Sequence, residues 1–492
     1  MHTLSRRACV AIALAAAAVG TSVPSQAQNA LPKAEAARAL RELVRVMAIQ
    51  NQDSLRRFVE ARFVVSGQGA IPVPERVERL SGLASDLGTL TITRIDTSSA
   101  SEVAATVQSS RTEQWLVMTM MFEPASPHRV LRIGIRPTSA PDAPTTRLTD
   151  AEIVRQLQEF VERLAKRDVF SGTVLLAKRG RPLYSAAFGE ANKDYGVQNT
   201  IDTKFNLGSM NKMFTAVATM QLAERGKLSL DDTLGKFLKA GTMRPEVLSK
   251  VRVKHLLTHT SGMGSYFSPR WDSLSRTLFR SVDDWMGLVK DEQLAFEPGT
   301  RWAYSNTGML VLGKVIEAAS GQDYFEYVRE HIYKPAGMTS TDSYELDRVV
   351  KNLAIGYDLE RTPQGAEYRP NTFYHVLRGG PAGGGYSTAG DLTRFAVALV
   401  EGRLVSRAAV KQLTTPKPEL SSPRYGYGFG IEENGRIVGH GGGFPGISSQ
   451  LDIVVEDDYT LAVMSNYSRG AHPVVEKARG LILAGRAPTA SR

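Results

Sequence analysis

The chain is almost without cysteine: Cys9 is the single one in 492 residues. It falls in an N-terminal stretch that reads as an export leader. The mature chain is then expected to have no disulfide, no thiol nucleophile and no cysteine-based metal site. Long apolar runs are missing too. The apolar core at 9–20 is shorter than the roughly 20 residues a membrane-spanning helix needs, so no stable membrane insertion is expected. There is no Lys/Arg run. The formal charge of +10 is scattered, which reads as a generally basic surface and not as a nucleic-acid site. No G-x-S-x-G elbow is present, which argues against an α/β-hydrolase. No glycine loop is spaced to hold a phosphate. His255 and His259 stand four apart, as in a zinc helix. Leu256, however, occupies the place where H-E-x-x-H needs its glutamate, and Thr260-Ser261-Gly262 ends the helix early, so no metal is expected.

What is present reads as a folded, exported chain. Hydrophobic residues make up 42% and charged residues 22%, ordinary values for a globular protein of two or three domains. Arg6-Arg7, the apolar core and Ser25-Gln26-Ala27 make residues 1–27 a signal peptide of bacterial style, cut before Gln28. The expected location is the periplasm or the medium. Ser5-Arg6-Arg7 keeps twin-arginine export open beside the general route.

Residues 31–137 read as an accessory α+β domain. The apolar period predicts helices at 34–48, 53–64 and 74–87. Alternation predicts strands at 89–96, 101–110, 114–122 and 129–136. This order resembles the NTF2-like or cystatin-like cone folds in topology alone. Nothing in the segment gathers acids, histidines or serines into a site. Residues 138–147, rich in Pro, Ala and Thr, form a linker. A second domain spans 148–485, and 486–492 read as a disordered tail.

The second domain opens with a helix at 150–165, with Thr149 as N-cap, and a hairpin of 172–178 and 182–189 around Arg179-Gly180-Arg181. Helices are predicted at 228–238, 253–257, 282–289, 307–319, 324–333 and 389–400. Strands return at 425–432, 436–439, 447–455 and 460–465, before a last helix at 472–483. Strands at both ends and helices between them predict one antiparallel sheet with the first and last helices on its back. The middle helices form a lobe, and the cleft between sheet and lobe is the natural site.

Three motifs fit that cleft. At 205–215, F-N-L-G-S-M-N-K-M-F-T, Ser209 and Lys212 form the one S-x-x-K of the chain. Three residues apart on a helix, they share a face, so the amine can take the serine's proton. The helix start adds free N–H groups and a positive dipole end. A solvated helix face would have the same spacing, but here the flanks are apolar. Tyr304-Ser305-Asn306 is the one Tyr-x-Asn. Near a lysine ammonium the phenol is expected to fall in pKa and serve as a base, with Asn306 holding a substrate amide. A buried tyrosine with an asparagine cap is the plain alternative. His440-Gly441-Gly442-Gly443 lies between two predicted strands. There Gly443 N–H can face Ser209 N–H as an oxyanion hole, or the run can be merely a glycine-rich hairpin.

In this order the motifs resemble the serine β-lactamase and penicillin-binding-protein superfamily. The class C branch fits best, with its β-lactamases, DD-peptidases, D-aminopeptidases and family VIII esterases. Leu256-Leu257-Thr258-His259-Thr260-Ser261-Gly262, Phe296-Glu297-Pro298-Gly299 and Gly384-Gly385-Tyr386-Ser387-Thr388-Ala389-Gly390-Asp391-Leu392 add to the likeness, which covers about 150–485. The resemblance implies a β-lactamase/transpeptidase-like α/β (α+β) fold. It also implies a two-step acyl transfer to water without metal or other cofactor. Ser209 would be the acylated nucleophile, Lys212 would tune proton transfer, and Tyr304 would act as base and then acid. Asn306, His440 and Gly442 would bind substrate, and Ser209 and Gly443 would hold the oxyanion. H-G-G replaces the K-T-G of the family's β-lactamases, removing a cation that would meet a substrate carboxylate and a hydroxyl hydrogen bond. An esterase or D-amino-acid peptidase acting on a small ester, peptide or β-lactam-like molecule is therefore expected over an efficient β-lactamase. A peptidoglycan- or β-lactam-binding protein without turnover is the alternative from another class. Oligomeric state is not readable.

Overall fold

The computed structural model describes residues 33–67, 70–99, 101–362 and 365–486. Residues 1–32, which include the expected signal peptide at 1–27, and residues 487–492 of the expected tail lie outside the described residues. The chain divides into two compact units. The second comprises Ser81–Thr91, Val107–Leu116 and Arg136 onward; the first takes the rest.

The N-terminal region holds α1 (Lys33–Ile49), α2 (Gln52–Arg62) and α3 (Val73–Leu87). They are followed by β1 (Leu90–Ser98), β2 (Glu102–Ser109), β3 (Trp115–Phe122) and β4 (Val130–Pro137). The strands form a meander in sequence order. Asn51 caps α2 by accepting from Ser54 N–H at 2.9 Å.

From residue 148 the chain builds a six-stranded antiparallel sheet from its two ends. α4 (Asp150–Lys166) starts on a capping box. Thr149 Oγ1 accepts from Glu152 N–H at 3.3 Å, and the Glu152 carboxylate accepts from Thr149 N–H at 2.8 Å. β5 (Gly172–Lys178) and β6 (Arg181–Phe188) form the expected hairpin. α5 (Asn211–Glu224), α6 (Val253–Leu257), α7 (Val282–Val289), α8 (Asn306–Ser320) and α9 (Ala389–Val400) make the helical middle. β7 (Gly430–Glu432), β8 (Ile437–Phe444), β9 (Ile447–Val454) and β10 (Tyr459–Ser465) return to the sheet before α10 (Ala471–Ile482). The strand order is β7-β8-β9-β10-β5-β6, closed by β10 against β5 with Val463 opposite Val174.

Alternation sends the two faces of this sheet into two cores. On the back, Ile437, Leu461 and Val463 pack with Leu157 and Phe160 of α4 and Val475 of α10. On the front, Val438, Leu451 and Ile453 join Phe214, Leu312 and Phe395 of the middle helices. α5 is buried around its whole circumference from Asn211 to Leu222, so it carries no solvated face.

Two sequence expectations are corrected. Residues 228–238 are not a helix but a turn with one 3₁₀ turn at Leu234–Lys236. Asp232 accepts from Ser229 N–H at 2.7 Å, and the backbone of Leu230 and Asp232 bonds to Lys254 and Val253; turn chemistry overrides the apolar period. Residues 425–432 form a strand only at Gly430–Glu432. Gly428 (φ +75°) brings the backbone so close to α5 that a Cβ there would stand 2.3 Å from Ala216 Cβ. A hairpin at Tyr357–Thr362 and Gly365–Pro370 and a helix at Arg407–Leu413 were not expected.

Candidate active site

Ser209 sits in a 3₁₀ turn, Gly208–Met210, that runs into α5. Gly208 shapes it. Its φ is +51°, and a Cβ there would lie 2.9 Å from both Gly442 Cα and Gly443 N. A Cβ on Gly442 would lie 1.9 Å from Leu207 O. The two glycines thus let β8 and the serine turn touch backbone to backbone. Asn206 Oδ1 fixes the turn by accepting from Gly208 N–H at 2.8 Å.

Lys212 is 0% exposed. Its Nζ lies 3.0 Å from Ser209 Oγ and 3.0 Å from Asn306 Oδ1, and also meets Ala382 O. No carboxylate is among these partners, and burial holds its pKa well below the usual lysine value. An unpaired charge in such a place costs many kcal/mol, against about 1.4 kcal/mol for each pH unit by which the amine is held neutral. Burial without a counter-charge therefore favours the neutral amine. It has two N–H donors and one lone pair. The carbonyl oxygens of Asn306 and Ala382 take the donors, and the lone pair is left for the Ser209 hydroxyl.

Tyr304 precedes α8. The residue is 39% exposed, its ring centroid lies 4.7 Å from Lys212 Nζ, and its hydroxyl interacts with the Ser209 side chain. The expected fall in its pKa is corrected. Desolvation pushes the phenol up to about 12, against a smaller lowering by Ser209. With Lys212 neutral there is no ammonium to stabilise a phenolate. The cap of α8 is Ser305 and not Asn306: Ser305 Oγ accepts from Gly308 N–H at 2.8 Å. Asn306 Nδ2 donates to Ser265 Oγ at 3.3 Å.

His440 is buried and neutral, its pKa lowered by desolvation to about 3. Nδ1–H donates to Gly441 O at 2.6 Å, so Nε2 accepts from Tyr425 Oη at 2.9 Å. Both ring nitrogens are therefore engaged within the protein. The front face of β8 carries His440 and Gly442, and a cavity of about 830 Å³ reaches from Tyr304 and His440 along Gly441, Gly442 and Gly443.

His259 brackets Tyr304. Its carbonyl accepts from Ala303 N–H at 2.9 Å, and its Nδ1 accepts from Ser305 N–H at 3.2 Å. To do both it adopts a left-handed φ of +59°, a conformation that is strained for most side chains. The sequence points to His259 only as a metal ligand to be dismissed. Its one other signal is its place in the Leu256–Gly262 stretch quoted above.

A family model described as Beta-lactamase matches residues 152–486; the N-terminal region lies outside it. Penicillin-binding protein 4* of Bacillus subtilis (strain 168) is 32% identical over 330 residues, covering 63% of this chain and 71% of that protein. A penicillin binding protein from Bacillus halodurans superposes with a TM-score of 0.58 at 29% identity, over 68% of this chain and 100% of its own. A D-stereospecific amidohydrolase from Streptomyces sp. gives a TM-score of 0.53 at 27% identity, over 67% of this chain and 98% of its own.

Proposed function

The chain belongs to the Beta-lactamase family, and on that premise we propose that it is an exported serine hydrolase of esterase or D-amino-acid peptidase type. The observation that carries this reading is the carboxylate-free amine of Lys212, 3.0 Å from Ser209 Oγ.

In the first step the Ser209 hydroxyl proton passes to Lys212 Nζ as Oγ bonds to the substrate carbonyl carbon. The carbonyl oxygen takes the negative charge between the N–H groups of Ser209 and Gly443. Tyr304, neutral at any ordinary pH, gives its proton to the leaving oxygen or nitrogen as that bond breaks, and regains one from Lys212. A water molecule then repeats the sequence on the acyl-enzyme, with Ser209 as leaving group. The sequence-based assignment of base to Tyr304 thus passes to Lys212, because the phenol is held up and the amine is held down.

The substrate class follows from β8. Neutral His440 stands in place of the family's lysine, so no cation there meets the carboxylate of a β-lactam. The likeness to a D-stereospecific amidohydrolase supports an amide of a D-amino acid. Intact-mass spectrometry with a fluorophosphonate is the test, beside Ser209→Ala. One adduct that the substitution abolishes is expected, with turnover of a short p-nitrophenyl ester or a D-amino-acid p-nitroanilide falling about 10⁴-fold or more in the variant. No adduct would end the reading. An adduct without turnover of either substrate would favour the acylated binding protein.

A further inference from the structure

β8 is free along one flank. β7 pairs only with Ile437–Gly439, and from His440 to Phe444 no strand pairs on that side among the described residues. A chain lying along this flank sends alternate groups to the two faces of the sheet. The front face leads to Ser209. The back face presents Gly441 and Gly443, opposite Gln450 and Ser448. A Cβ on Gly443 would meet nothing within 4 Å. The side-chain-free strand leaves a trough toward α10, and this trough is the far part of the 830 Å³ cavity.

Its far wall is an ordered relay. Arg479 grips Asp452 with Nε at 2.6 Å and Nη2 at 2.9 Å. Asp452 in turn accepts from Gln450 Nε2 at 2.6 Å. The amide of Gln450 is thereby fixed with Oε1 toward the strand, 2.6 Å from where a Cβ on Gly441 would stand. Arg479 meets Glu476 through Oε1 alone, at 3.2 Å. Both guanidiniums of the cavity are committed, Arg479 here and Arg424 to Glu432 at 3.0 Å. His472 is held toward neutrality by burial and by Arg479 and Arg469. Within the trough the carboxylates of Asp452 and Glu476 share the one guanidinium of Arg479; burial raises the Glu476 pKa, and the wall offers acceptors.

We propose that this trough is the subsite for an acyl chain bearing a primary amine, reached over the free flank of β8, with the ammonium on Gln450 Oε1 and the Glu476 carboxylate. The acyl chain is the part anchored at Ser209 through both steps, so a subsite along the strand holds it throughout. The proposal rests on Ser209 being the nucleophile.

The test compares p-nitrophenyl 6-aminohexanoate with its N-acetyl counterpart, in the full protein and in Glu476→Gln and Gln450→Met. The parent is expected to favour the free amine by about tenfold in kcat/KM. Each variant is expected to bring the ratio near one, with fluorophosphonate labelling of Ser209 unchanged. Labelling with a parent ratio near one, or a ratio both variants leave intact, would overturn the subsite alone. Absence of labelling would overturn the nucleophile and the subsite with it. A variant that has lost labelling is unfolded at the site, and the parent ratio then decides.

Discussion

On one face of β8 stands Lys212, an amine with three oxygen partners and no carboxylate among them. On the other stands Arg479, a cation locked to Asp452 and Glu476. Both are largely withdrawn from solvent. Burial alone would lower both pKa values, and it does so for Lys212. At Arg479 the Asp452 carboxylate overrides burial and holds the guanidinium above its usual value. A buried cation without a counter-charge gives up its proton and becomes a base. One with a counter-charge keeps its proton and orients its neighbours. The same strand therefore separates a region suited to chemistry from one suited to recognition.

The comparison breaks most sharply at Lys212→Met. We expect a loss of about 10³-fold or more in kcat/KM for a p-nitrophenyl ester, together with a gain in stability by urea unfolding. Burial holds the amine's pKa in the folded chain below its unfolded value, so parent stability rises with pH and is lost as pH falls. The gap between variant and parent should thus be wider at pH 6 than at pH 9, by up to about 1.4 kcal/mol per pH unit. A less stable variant, or a gap that widens with pH, would contradict the neutral amine.

Next comes Gly442→Ala. The new Cβ would press on Leu207 O and move β8 off the serine turn. A fall of about 100-fold in the rate of fluorophosphonate labelling is expected. His259 follows. Ala there removes the acceptor for Ser305 N–H and is strained at a left-handed φ. Asn keeps an acceptor and tolerates that φ. We expect about a tenfold loss in kcat for His259→Ala and a recovery of most of it in His259→Asn, with KM nearly constant in both. Equal losses would show that the bracket does not position Tyr304. The smallest effect is in the pH profile. Activity should fall as pH drops through the lowered pKa of Lys212. It should show no alkaline limb up to about pH 10, because Tyr304 stays protonated to about 12. His440, at about 3, adds no step between pH 5 and 9.

The parts of this arrangement that are legible in the sequence are the local ones. Ser209 and Lys212 are three apart on one helix, α4 follows from its period and the Thr149 cap, and α6, α7 and α9 follow from period. The two-ended sheet follows from strand order. The rest depends on long-range partners. His259 finds Ser305 46 positions away. The direction of the Tyr304 shift is set by the dryness that α5 and its neighbours create together, and local spacing points the other way. The Gln450 relay is closed by Arg479, which its own helix does not mark out from Glu476 or Lys477. At 228–238 the apolar period is real, but Asp232 uses the backbone for a turn.

The closure of the sheet has a consequence for how the molecule comes into being. Val174 of β5 pairs with Ala186 of the adjoining hairpin strand on one side, but finds its neighbour on the other only in Val463 of β10. During synthesis the serine turn and most of the helical middle emerge before the strand that completes their floor. Loop-closure entropy sets against early pairing across such a span. A chain shortened before β10 would keep Ser209, Lys212, Tyr304, β8 and β9 but lack the strand that joins β9 to β5.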